Sequence, residues 1–251
     1  MHQNNNFTRK INLQLEDKRF IVRTLGSLNE VDQLFEFRKK IFKDIGYISG
    51  DRELSDLDLL ADHLAVIDKD SNEFIASYVL ISSRFSREFS SDKRWIFEDF
   101  REEHNGILEL SWLSVDPSYC HQNILLSYLF KALAHYSVAS GEGYYFGSVS
   151  IPTNDLDKVS QIAFYLGRKG YTSDKFDIKP RKFIRLPLVT DENYWGDDRV
   201  ASLIPKLLFL YLRLGGVACK KPAVLSHVNR TDFFIFNQTS RVNDIYLKDI
   251  K

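Results

Sequence analysis

Apolar and polar residues change their period several times along this chain, and each change marks an element. Phe20-Ile21-Val22 is a short apolar run that reads as a strand ending near Gly26. Ser27-Leu28-Asn29-Glu30 then has the form of a capping box, and Val31, Leu34, Phe35, Ile41 and Phe42 follow at helical spacing. Arg38 falls on that apolar stripe rather than on the wet face, where it either snorkels or serves a site. Residues 46–60 are polar and read as a loop. His63-Leu64-Ala65-Val66-Ile67 and residues 74–82 are two strands around a turn at 69–72. Beyond a charged loop, residues 107–115 form a longer strand stopped at Asp116-Pro117, since proline cannot donate to a ladder. Asn123 opens a helix that runs to about Ser140, with Ile124, Leu125, Tyr128, Leu129, Ala132, Leu133 and Tyr136 inward and Gly141 and Gly143 closing it. A strand over 144–150, a helix over 156–166 and a looser strand region from Tyr171 complete the pattern. This order predicts an α/β fold, a mixed sheet with helices on both faces.

Composition narrows the class. A chain of 251 residues, 44% hydrophobic, buries a full core. Lys plus Arg equals Asp plus Glu at 34 each, which argues against a nucleic-acid partner. Two cysteines, Cys120 and Cys219, make neither a disulfide framework nor a metal-ligand spacing, so no metal is expected and a reducing cytoplasm fits. Residues 1–18 begin Asn-rich and polar and are expected to be a flexible tail, leaving 19–251 as one domain with residues 195–251 as a C-terminal extension.

Few residues carry candidate chemistry. On the strand over 107–115, Glu109 shares one face with Ile107, Ser111, Leu113 and Val115, so a carboxylate sits in a largely apolar row. Desolvation there would raise its pKa toward that of a general base; a Glu paired with an arginine or facing water is the alternative. His63 and Asp68 match the H-x4-D pattern of glycerolipid O-acyltransferases, yet positions five apart on a strand point to opposite faces, which favours a structural histidine. Cys120-His121 has no third group to orient it as a nucleophile. Lys175, Lys179, Arg181 and Lys182 lie in a basic run that is either a solvated face or a dock for an acidic partner. Residues 203–214 have an apolar body edged by Lys206 and Arg213, suited to the core or to the surface of a bilayer.

Several motifs in order resemble one family. Ile107-Leu108-Glu109-Leu110-Ser111, Val115-Asp116-Pro117-Ser118-Tyr119 and Phe146-Gly147-Ser148-Val149-Ser150 resemble the centre of the ornithine-lipid N-acyltransferases, a GNAT-related group akin to acyl-homoserine-lactone and N-acyl amino acid synthases. Phe37-Arg38, His63-Leu64-Ala65-Val66, Ile204-Pro205, Tyr211-Leu212-Arg213 and Thr231-Asp232-Phe233-Phe234 extend the likeness from about Phe20 to the end. The resemblance implies a GNAT-like fold and amide formation, with an acyl-carrier-protein thioester as donor, an amino acid acceptor (ornithine by family default), no permanently bound cofactor, and a role in lipid biosynthesis. The same fold leaves open a signal-molecule or N-acyl amino acid synthase, or a non-catalytic carrier-binding protein.

In that reading Glu109 is the base, and Arg38, Ser111 and Trp112 meet the acceptor. Backbone amides near residues 115–117 hold the oxyanion. Val115, His121, Gln122, Asn123 and Ser148 line the 4′-phosphopantetheine, and Lys175, Lys179, Arg181 and Lys182 dock the carrier protein. The implied place is the cytoplasm, with peripheral contact at the inner face of its membrane. One departure stands out: where the family has arginines this chain has Val79, Trp112 and Cys120, which leaves Arg38 as the expected carboxylate clamp.

Overall fold

The computed structural model describes residues 7–44, 54–103, 105–119 and 123–248. They cluster into two compact units, where the sequence suggested one domain: Met1–Ser90, Leu108–Gly143 and Val242–Lys251 in the first, Ser91–Ile107 and Tyr144–Arg241 in the second.

In the first unit, strands β1 (Gln14–Glu16), β2 (Phe20–Thr24), β3 (Asp62–Asp68), β4 (Phe74–Ser82) and β6 (Ile107–Val115) follow one another as antiparallel neighbours. β3 is buried along its whole length and β4 along nearly all of it, so both faces are covered. Helix α1 (Leu28–Asp44) covers the face of His63 and Ala65, where Leu25, Val31 and Leu34 pack on Ala65. Helix α4 (Asn123–Ser140) covers the opposite face, where Tyr136 donates to Asp62 at 3.0 Å and Tyr128 meets Phe20 edge-on. Ile124, expected on the buried side of α4, is 48% exposed. It lies in the first turn, where helical periodicity defines no face by itself.

Two short elements escaped the pattern. Helix α2 (Asp56–Leu60) lies in the expected loop, closed by a capping box between Ser55 and Asp58 that is too short to show a period. The expected tail is also corrected, because β1 pairs with β2 and the N–H groups of Lys10 and Ile11 both donate to Asp62 at 2.8 Å.

In the second unit, β7 (Tyr144–Ile151) pairs antiparallel with β11 (Arg230–Gln238), from Tyr144 opposite Gln238 to Ile151 opposite Thr231. β9 (Val217–Ala218) and β10 (Ala223–Leu225) also pair with β11, so the supposed extension supplies a long strand of this unit's sheet. Helix α5 (Leu156–Arg168), capped by Asp155, packs with α6 (Asp197–Ala201) and α7 (Lys206–Arg213) around Val149, Ile162, Leu208 and Phe233. In the charged loop, β5 (Trp95–Ile96) pairs with β8 (Lys179–Pro180), and α3 (Glu98–Arg101) places Phe100 against Phe146 and Phe176. Helix α8 (Thr239–Tyr246) follows β11.

Candidate active site

The α1 face of the first unit gathers four of the polar side chains that the sequence singled out, Glu109, Ser111, His63 and Arg38. Register places His63 opposite Val79, Val79 opposite Ser111, and Ile81 opposite Glu109. Antiparallel partners share a face, so Glu109, Ser111, Val79 and His63 lie on one surface beneath α1.

Glu109 is 1% exposed and its Oε2 accepts from the Ser90 N–H at 2.7 Å. Ser111, two residues on, has a buried hydroxyl with no hydrogen-bond partner among the described residues. Beyond it the ladder breaks. Ser77 pairs with Ser114 and Val79 with Ser111, so one residue of β4, Tyr78, spans the same stretch as two of β6, Trp112 and Leu113. That is a β-bulge, and Trp112 occupies it with φ of +54°, a region rare for a bulky side chain. Its ring meets Phe42 of α1 edge-on at 5.2 Å. The irregular backbone therefore falls at 112–113 rather than at 115–117. No glycine or proline marks the position, so sequence alone offered no signal for it.

Arg38 is turned inward, 4% exposed, which excludes snorkelling. Its Nε donates to Ser77 Oγ at 2.8 Å, Nη1 to His63 Nδ1 at 2.8 Å and Nη2 to the Tyr78 carbonyl at 3.0 Å. The guanidinium expected to clamp an acceptor thus holds internal partners on both edges of its fork. His63 is 0% exposed, and its Nε2 lies 2.7 Å from the Asp58 carbonyl.

The H-x4-D match does not assemble. Asp68 is bonded by Tyr119 OH at 3.0 Å and by Arg19 Nε at 3.2 Å, whereas His63 meets Arg38 and the Asp58 carbonyl. Burial pushes Asp68 up, but bonds from the Asp70 N–H, Tyr119 and Arg19 outweigh it and hold the carboxyl below its ordinary value.

The remaining expected donor contacts separate. Val115 ends β6 opposite Ala76. His121, Gln122 and Cys120 lie outside the described residues, and Asn123 is the first residue of α4. Ser148 sits on β7 in the second unit, where its hydroxyl accepts from the Trp95 indole at 2.9 Å. In the same unit the motif residue Asp232, fully buried, accepts from Arg94 at 2.5 Å and from Ser150 at 2.6 Å. Of the basic run, Lys175 bonds Tyr144 and pairs with Glu103 at 3.6 Å, Lys179 pairs with Asp177 at 2.7 Å, and Arg181 Nε donates to the Asp92 carbonyl at 2.6 Å. Lys182 is exposed. Residues 203–214 pack inward through Ile204, Leu208, Leu212 and Leu214. Among the described residues no helix is long and apolar enough to cross a membrane, and none group as a metal site.

No family model matches the chain. The L-ornithine N(alpha)-acyltransferase of Rhodobacter capsulatus is 29% identical over 202 residues, 76% of each chain. Among solved structures, FeeM, an N-acyl amino acid synthase from uncultured soil microbes, aligns with a TM-score of 0.56 at 12% identity over 89% of this chain and 92% of that one. The chain is an N-acyltransferase. An aminoglycoside 6′-N-acetyltransferase complexed with coenzyme A shares the fold of this acyltransferase, with a TM-score of 0.50 at 13% identity over 87% of this chain and 96% of that one. At such identities the solved structures speak for the α/β fold alone. The sequence relative speaks for the reaction class.

Proposed function

We propose that this acyltransferase moves a long-chain acyl group from the 4′-phosphopantetheine thioester of acyl-carrier protein onto the amine of an amino acid, with ornithine as the first acceptor to test. The observation that carries the reading is the buried carboxylate of Glu109 on the same face as the Ser111 hydroxyl, which has no hydrogen-bond partner among the described residues, and the bulge at Trp112. A charged amine must lose a proton before it can attack, and Glu109 takes it through one bridging water. The amine nitrogen then bonds the thioester carbon. A backbone N–H at the bulge of 112–113 donates to the negative oxygen, and collapse expels the pantetheine sulfur, which takes up the proton that the acylated nitrogen sheds. No covalent enzyme intermediate is required.

Trp112 and Val79 give the acceptor an apolar wall, so recognition falls to Ser111 and the indole face. The acidic carrier protein docks on the run from Lys175 to Lys182, led by the exposed Lys182 and by Arg181. The substrate named for the Rhodobacter capsulatus relative supports ornithine as the starting acceptor. Mass spectrometry of lipids from a heterologous bacterium expressing the chain, paired with a purified assay using hexadecanoyl-acyl-carrier protein and ornithine, tests the reading. N-acylornithine is the expected product. Acylated lysophospholipid with no acylated amino acid would overturn it.

A further inference from the structure

We infer that Arg38 is a positioning residue that holds the β6 bulge in its working shape from the opposite side of the β4 strand. This rests on the reading that the bulge is the reacting edge.

The inference starts from the place where the ladder skips. The register shifts between Ser77, opposite Ser114, and Val79, opposite Ser111, and the carbonyl of Tyr78 between them accepts from Arg38 Nη2 at 3.0 Å. The same guanidinium grips the neighbouring Ser77 side chain at 2.8 Å. Two consecutive β4 residues at the skipped register are therefore fixed by one planar, rigid group. Its third partner, His63 Nδ1 at 2.8 Å, belongs to β3 on the far side of β4. A fork anchored in this way resists the slip by one residue that would restore regular pairing and erase the bulge. The cost of Trp112 at φ of +54° shows that the bulge needs such support, since strained backbone persists only where its surroundings over-determine it. Phe42, one turn beyond Arg38 on α1, packs on the Trp112 ring, so one helix touches the bulge on both strands.

The full chain serves for the test, with Arg38→Met, Arg38→Lys and the milder Ser77→Ala. Trp112 emission reports the bulge directly, isolated by subtracting the same variants in a Trp112→Phe background, and hydrogen exchange of peptides spanning 110–115 reports its amides. For a positioning role, Arg38→Met and Arg38→Lys lower kcat roughly 10- to 100-fold while KM for acyl-carrier protein and for ornithine stays within about twofold. They also shift Trp112 emission and speed exchange over 110–115 while peptides of α5 and β11 stay unchanged. Ser77→Ala, which keeps the fold if the arginine variants do not, moves the same signals less far in the same direction. An ornithine KM raised at least tenfold with kcat intact would overturn the inference and make Arg38 an acceptor clamp. Unchanged Trp112 emission and exchange in folded variants would overturn it too. Should the wild type fail to acylate ornithine, the functional reading falls, and emission and exchange still decide whether Arg38 supports the bulge.

Discussion

Arg38 Nη1 and His63 Nδ1 lie 2.8 Å apart in the buried core of the first unit, and the arginine can only donate. His63 Nδ1 is therefore the acceptor, so the imidazole is neutral and carries its hydrogen on Nε2, which donates to the Asp58 carbonyl at 2.7 Å. One ring ties α1, β3 and α2 together.

The ring cannot serve as a general base, because its free lone pair is already taken by a cation. His63→Ala should consequently act on stability, costing about 1–3 kcal/mol for the polar groups left unsatisfied, and more where the guanidinium loses its partner. Chemical denaturation measures the loss. Acyl transfer by the fraction that remains folded should keep its kcat within a few-fold, and a well-folded but inactive His63→Ala enzyme would return histidine to the chemistry.

Glu109→Gln keeps the shape of the side chain and leaves an amide oxygen to accept from the Ser90 N–H, so the fold should hold. Loss of the proton acceptor should lower kcat by about 10²–10⁴. Steady-state assays of product formation, with thermal unfolding run alongside, separate the two effects. Activity equal to wild type would remove Glu109 from the mechanism.

Glu109 was legible because one carboxylate in an apolar strand row breaks the pattern. The stripe of α1 was legible too, since Val31, Leu34, Arg38 and Phe42 all turn inward as their spacing required. What Arg38 does there was not. Its partners include a backbone carbonyl, which no side-chain pattern encodes, at a register skip made by pairing between strands distant in sequence. β11 was missed as a strand for a related reason: Phe233, Phe234, Ile235 and Phe236 form a continuous apolar run, and such a run reads equally as buried helix until a partner such as β7 defines it.

Two buried aspartates should give the stability curve opposite slopes. Asp68 is held below its ordinary 3.8, so it contributes stability that is complete above that value and is lost as pH falls through its lower folded value. Asp62 is pushed above 3.8 by burial, against the bonds from Lys10, Ile11 and Tyr136. Its ionisation therefore costs stability, which is complete below 3.8 and declines as pH rises through the raised folded value. Asp68→Asn should flatten the acid limb. Asp62→Asn should flatten the decline on the less acidic side, while lowering stability throughout, because an amide cannot accept from both the Lys10 and Ile11 N–H groups with two oxygens. Urea denaturation from pH 3 to about 7 resolves the slopes, and limbs unchanged by either substitution would refute the assignments.

The basic run gives a graded expectation for carrier docking. Charge that is already paired attracts a partner weakly, since the approaching acid meets a near-neutral pair, and exposed charges set encounter rate and salt dependence. Lys179 lies against Asp177 at 2.7 Å and Lys175 beside Glu103, whereas Lys182 is exposed and Arg181 presents its guanidinium after anchoring only Nε to the Asp92 carbonyl in the bonds described. Lys182→Glu and Arg181→Glu should thus raise the apparent KM for acyl-carrier protein several-fold each, with kcat and the ornithine KM little changed. Lys179→Gln should change it less, because removing that charge also releases Asp177. The wild-type KM should climb as salt rises from about 50 to 300 mM, as the Debye length shrinks below the separation of exposed charges. A KM that ignores both salt and the reversal of Lys182 would place the carrier elsewhere on the enzyme.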